Sequence, residues 1–338
     1  RIYIIMHHVF FFFKKNIIFV SIFLLFFNFN INASSKENLI EKLNKKDEIQ
    51  ILISGNNYLR YLKQIKIVGK KENLLNNSLI NTSKKRWIRS KIKIDNEELP
   101  IRIKLHGNNS DHISIPYSSL NIKKTFDKFD KLNLLRPNTR NYEAEIFGTI
   151  FLKHFDIIVP ETKYINVKIN KLAAEKFLLQ EKIDDKLLKR RKIINGPIIK
   201  FSDKDEKIYE TKRVLKNDIK FFEVFENAND EFIKGNESLI ITYKAIGLMN
   251  YKKNFDNYYN YKFQALISIL DGCHGLSGND PIFYYDQTLN EFLHIYYDGM
   301  FFNQNIEDYF CDDLRFLYNP KFKDKLIDEL EREILKKD

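Results

Sequence analysis

Apolar and polar residues alternate over Trp87–Asp95 (WIRSKIKID) and again over Leu99–Gly107 (LPIRIKLHG), which predicts two antiparallel strands with their turn at Asp95–Glu98. A polar glycine loop, His106–His112 (HGNNSDH), follows, and Ser119–Lys124 (SLNIKK) alternates as a third strand. After Pro137 the period changes. Ala144, Ile146, Phe147, Ile150, Phe151 and His154 recur at helical spacing, so a helix is predicted within Thr139–His154. Strand alternation returns in Thr162–Ile169 and Ala174–Ile183, around an Asn170-Lys171 turn. Beyond residue 184 the texture is helical near 206–235, 256–271 and 321–337, with short strand candidates at 281–285 and 292–297. Upstream, Gln50–Ser54 (QILIS) reads as a short strand beside the charged stretch 36–50. A mostly β half followed by a mostly helical half is an α+β pattern.

The chain has 338 residues, 44% of them hydrophobic and 30% charged, which excludes a disordered or collagenous protein and leaves one large domain or two packed lobes. The net charge of +11 comes mostly from lysines scattered among acids. It suits anionic small molecules or membrane surfaces, and without a localised patch or a module pattern it does not argue for nucleic acid. Cys273 and Cys311 are compatible with a disulfide or with two thiols. Asn16–Phe27 (NIIFVSIFLLFF) is a predominantly apolar, uncharged run preceded by Lys14 and Lys15 and followed by small residues near Ala33. That pattern predicts a signal peptide or membrane anchor, hence an exported or membrane-attached protein of the cell envelope.

Candidate chemistry is densest in Leu270–Met300, which gathers Asp271, His274, Asn279, Asp280 and Asp298 around glycine-rich turns. Magnesium takes hard oxygen ligands, so Asn279 and Asp298 are candidate metal ligands. Asp271 is a candidate for orienting or deprotonating a hydroxyl acceptor. The competing reading is that these are turn residues, since Asp, Asn and Gly concentrate where chains reverse. His274 as a zinc ligand lacks an HExxH pattern or cysteine pair to complete the set. The run Lys186–Lys192 (KLLKRRK), with Arg190 and Arg191, reads as a solvent-facing basic segment.

The succession HGNNS (106–110), SLNIKK (119–124), LLRPNTRNYEAE (134–145), YINVKINKLAAEKFLLQEKID (164–184), LDGCHGLSGN (270–279) and IYYDG (295–299) resembles the spore coat protein H (CotH) kinase-like family over about residues 85–305. The resemblance implies a two-lobed protein-kinase-like α+β fold: linker or decoration at 34–84 after a signal or anchor at 1–33, an amino-terminal lobe at 85–183 and a carboxy-terminal lobe at 184–338. It also implies roles. Gly107, Asn108 and Ser110 would lie in a turn covering a nucleotide. Lys123, with Lys104 as its competitor, would bind phosphate and pair with Glu145 or its neighbour Glu143. Glu181 would lie where backbone groups meet an adenine. Asp271 would be the catalytic aspartate, and Asn279 (or Asp280) with Asp298 would hold magnesium.

The chain departs from the family in Tyr297, where a tryptophan is frequent, in Gly272, where a basic residue is usual, and in the eight-residue interval from Asp271 to Asn279, longer than the roughly five of ordinary protein kinases. The expected activity is magnesium-dependent transfer of a phosphoryl group from ATP or another nucleoside triphosphate to a hydroxyl of a protein serine or threonine or of a glycan. The alternative is a non-catalytic envelope or surface-assembly protein.

Overall fold

The structure, a computed structural model, describes residues 39–69, 74–75, 79–80, 84–125, 131–201, 225–229, 232, 235–249, 251–276, 281–302, 328 and 332. The body of the molecule begins at Leu43, beyond a separate amino-terminal unit that ends at Lys42. The apolar segment Asn16–Phe27, together with Asn279, Asp280 and Cys311, lies outside the described residues. No described helix is long and apolar enough to cross a membrane.

Seven strands close into a barrel. In chain order they are β1 (Glu48–Leu52), β4 (Ile88–Ile94), β5 (Glu97–Leu105), β6 (Leu120–Lys124), β7 (Lys131–Leu135), β8 (Thr162–Ile169) and β9 (Glu175–Glu181); a two-residue pair, β2 (Leu74–Leu75) and β3 (Leu79–Ile80), stands apart. The order around the barrel is β1-β4-β5-β6-β7-β9-β8, antiparallel throughout except where β1 runs parallel to β8 and closes it. Alternation sets the inner wall: Ile103 faces Ile88 on one side and Ile122 on the other, and Ile122 faces Leu132. All four are buried. Helix α1 (Gly55–Val68) buries Tyr61, Ile65 and Val68.

The second half is built on an antiparallel sheet of β11 (Phe225–Asn227), β10 (Ile198–Phe201), β12 (Ile282–Asp286) and β13 (Glu291–Ile295), in that order. Its core gathers Phe255, Phe263, Phe283 and Phe292 with residues of helices α2 (Glu143–His154), α4 (Asn236–Leu248) and α5 (Tyr258–Ile269), and a short helix α3 (Asp185–Arg190) precedes β10. The end of β13 is stitched to the chain that enters β8. Ile158 bridges Ile295, and the Tyr296 amide donates to the Ile158 carbonyl at 2.9 Å. Arg190 reinforces the junction by donating to Glu181, Glu161 and the Val159 carbonyl.

This architecture corrects the expected two-lobed kinase-like fold. The amino-terminal half is a closed barrel because Glu48–Leu52, assigned by sequence to a linker, inserts between β4 and β8. Closure satisfies both edges that an open sheet would leave unpaired. The other half, expected to be mostly helical, rests on a sheet, and Phe225–Asn227 is a strand inside the predicted helix 206–235, whose remaining residues are largely outside the described ones. Lys131–Leu135 forms a strand, and Gly55–Val68 and Asn236–Leu248 form helices, that the periodicity alone does not predict.

Candidate functional site

Beyond β13 the chain enters Tyr296-Tyr297-Asp298-Gly299, and Asp298, Met300 and Phe302 all take left-handed backbone (φ 51°, 51° and 56°). Three such non-glycine residues in such close succession mark a backbone held by its surroundings. The Asp298 Oδ2 accepts from Arg140 Nη1 at 2.8 Å, with side chains only 12% and 3% exposed. Arg140 Nη2 also donates to the Tyr297 hydroxyl at 3.2 Å, and its guanidinium lies 5.3 Å from that ring. A buried pair of this kind needs each charge to keep its partner, because the desolvation cost of an unmatched ion is on the order of several kcal/mol. The other carboxylate oxygen, Oδ1, is buried and accepts no hydrogen bond among the described residues. His274 Nε2 stands 3.9 Å from Oδ2.

Glu145, fully buried on the first turn of α2, accepts from Gln180 Nε2 at 3.2 Å and from the Tyr296 hydroxyl at 2.5 Å. Tyr296 in turn accepts from the Gly299 amide at 3.0 Å. Barrel strand β9, helix α2 and the Asp298 loop are thus joined by one polar chain. Burial raises the Glu145 carboxyl to about 7, opposed by the nearby Arg140 charge and the Tyr296 hydrogen bond.

Phe301 supplies the packing. Its ring stacks on Tyr296 at 5.1 Å, and a Cβ added at Gly148 or Gly272 would sit 1.9 or 2.5 Å from it. Gly275 is similarly excluded from carrying a side chain, since its Cβ would meet the Tyr297 carbonyl at 2.3 Å. The Phe302 amide donates to the Leu270 carbonyl at 3.1 Å. These contacts draw the Asp271–His274 turn beside the Asp298 loop, with Asp271 exposed and itself left-handed (φ 49°).

The barrel contributes the glycine loop. Gly107 has φ +79°, and a Cβ there would fall 2.1 Å from the His112 ring, so both backbone and space require glycine. Lys85 donates to the Gly107 carbonyl, His106 Nδ1 contacts Asn121 Oδ1 at 3.0 Å, and Arg136 donates to the Asp111 carbonyl at 2.7 Å. Burial, aided by the Arg140 charge, lowers His106 to about 3 and His112 to about 2, so both imidazoles are neutral under ordinary conditions. Burial raises the Asp111 carboxyl, and the Asp298 charge adds to that effect. The loop holding Gly107, Asn108 and Ser110 therefore lies within electrostatic reach of the Arg140–Asp298 pair.

Other residues singled out by sequence lie apart from this arrangement. Lys123 and Lys104 place their ammonium groups 4.2 and 5.7 Å from the Trp87 ring on the outer barrel wall. The expected Lys123–Glu145 pair is not formed, because Gln180 and Tyr296 hold that carboxylate. Glu181 is a buried clamp for Arg190, whose Nη2 donates to it at 2.5 Å, so Arg190 is not the solvent-facing residue its basic run suggests. Glu143 opens α2 in an exposed position.

Arg140, Tyr296, Phe301 and Gln180 are not legible in the sequence as site residues. Arg140 leaves only a weak signal, a basic residue between Pro137 and the acidic start of a helix. The other three read as ordinary strand or core residues.

Comparison with protein-family models and with curated proteins finds no match. The fit of magnesium to the site rests on Asp298. Its orphaned, buried Oδ1 is a hard anionic oxygen of the kind that ion selects. Among the described residues no cluster of three His, Cys, Asp or Glu side chains could hold a metal by itself.

Proposed function

We propose that this protein transfers a phosphoryl group from a nucleoside triphosphate, ATP or another, to a hydroxyl acceptor on a protein or glycan. The observation that carries the reading is the buried Asp298 carboxylate, one oxygen held by Arg140 and the other without a partner among the described residues, beside the exposed Asp271 turn. Phosphoryl transfer asks mainly for positioning and for positive charge against the phosphates. Arg140 holds the Asp298 carboxylate in place, and Asp298 with Asn279 would hold magnesium, which when bound would offset phosphate charge. Asp271, open to solvent, is suited to accept a hydrogen bond from the acceptor hydroxyl and to orient it. The succession of motifs that resembles the spore coat protein H family points to the same chemistry.

Calorimetry with ATP and magnesium, paired with transfer of labelled terminal phosphate, tests the proposal. Magnesium-dependent nucleotide binding is expected, weakened at least tenfold by Asp298→Asn, with Asp271→Asn retaining binding and losing transfer. Undiminished binding in Asp298→Asn, or absence of nucleotide binding in the parent protein, would refute it. A second reading, a binding protein without catalysis, is favoured by one observation: Arg140 already neutralises Asp298. It predicts nucleotide binding with no label transferred to any acceptor.

A further inference from the structure

Phosphoryl transfer calls for a cation against the phosphates, yet Lys123 and Lys104 lie on the outer barrel wall and Arg140 is buried against Asp298. The short turn Pro137–Arg140, which carries Arg140 at its end, is preceded by a second arginine. Arg136 has its backbone fixed on both sides. Its amide donates to Ser119 Oγ at 2.9 Å, and its carbonyl accepts from the Thr139 amide at 3.0 Å and the Thr139 hydroxyl at 2.7 Å. The half-buried side chain donates from Nη1 to the Asp111 carbonyl at 2.7 Å. Among the described residues that is the one hydrogen bond of its guanidinium, which makes no ion pair. A guanidinium has five N–H donors, so most of this fork is left for a ligand.

The turn ties the glycine loop to the Asp298 loop. Four residues of 3-10 helix rise roughly 8 Å. Arg136 grips the glycine loop at one end, and Arg140 grips Asp298 at the other. The Ser110–His112 turn packs on Pro137–Arg140. The charges interact accordingly: the Asp111 carboxyl senses both Arg140 and Asp298, and the His112 ring senses both Arg136 and Arg140. Asp111 is the one carboxylate of the glycine loop, and it accepts from the His112 amide.

We infer that Arg136 is the phosphate-contacting cation of this site, its guanidinium fork meeting oxygens of a nucleoside triphosphate between the glycine loop and Asp298. The inference rests on the nucleotide-binding half of the reading proposed above. A guanidinium stays charged at any working pH and can engage two phosphate oxygens at once. Because one rigid turn carries Arg136 and the partner of Asp298, it would hold phosphate and magnesium in a fixed register. A phosphate-binding lysine on a barrel strand is then unnecessary.

Calorimetry of the full-length protein with inorganic triphosphate, in chelator and without magnesium, isolates the cation from the metal. The parent is expected to bind. Glutamine can still donate to the Asp111 carbonyl but has no charge, so Arg136→Gln is expected to weaken binding about tenfold. Arg136→Lys keeps both donor and charge and is expected to stay within about threefold of the parent. Lys168→Gln removes an exposed cation paired with Glu48 on the barrel and is expected to change nothing. With ATP and magnesium present, Arg136→Gln should likewise bind about tenfold more weakly. Equal affinity in Arg136→Gln and the parent would overturn the inference, as would no metal-free binding by the parent. Equal losses in the glutamine and lysine variants would also overturn it, since they would make Arg136 a brace for the loop. A parent that binds triphosphate through Arg136 but transfers no label would refute the transferase reading and leave this assignment standing.

Discussion

Replacing Glu145 with glutamine isolates the cost of burying a carboxylate at the heart of the candidate site. Its folded-state value of about 7 stands against an ordinary 4.5. The folded protein therefore holds this proton more tightly than the unfolded chain, and unfolding stability falls as pH rises from about 4.5 to about 7. Below that window both states are protonated, and above it both are ionised, so the penalty is then at its full value. At about 1.36 kcal/mol for each pKa unit, the gap is worth roughly 3 kcal/mol. Glutamine carries no titrating proton, and any hydrogen bond it loses to Tyr296 or Gln180 shifts its curve by a constant. Urea unfolding of both proteins across that pH range should show the Glu145→Gln variant gaining roughly 3 kcal/mol on the parent between the acid and neutral ends. Asp184, also raised to about 7 by burial, titrates in both proteins and cancels in the difference. Parallel stability curves would refute the reasoning, since they would mean that Glu145 ionises normally in the folded state.

Two stability predictions concern the packing and the clamp. Gly148→Ala thrusts a methyl group into the Phe301 ring and is expected to cost about 1–3 kcal/mol by chemical denaturation, with Phe301→Leu in the same chain recovering part of it. Arg190→Ala strips the partner from buried Glu181 and is expected to cost about 3–5 kcal/mol, seen as a lowered denaturation midpoint; a change below about 0.5 kcal/mol would place the pair in the class of surface bridges.

Local periodicity is written in the sequence because it reflects the pleat and the helix turn. The alternation in WIRSKIKID and LPIRIKLHG, the strand at SLNIKK and the helix that ends at His154 are all visible to a reader of the chain, and so is the glycine demanded at 107 by a polar loop between strands. The grouping of Asp271, His274 and Asp298 within one stretch of chain is visible too. Partners across the fold are not. Nothing local to Glu48–Leu52 says that it will close a barrel, and nothing in Glu145 says that Gln180 and Tyr296 rather than a lysine will hold it. Arg140 meets Asp298 across a sequence separation that no motif encodes. The sequence determined which segments would be strands or helices wherever that depends on neighbours a few residues away. Tertiary structure alone decided which buried charges would be matched, because burial and Coulomb energy depend on distance in space and are indifferent to distance along the chain.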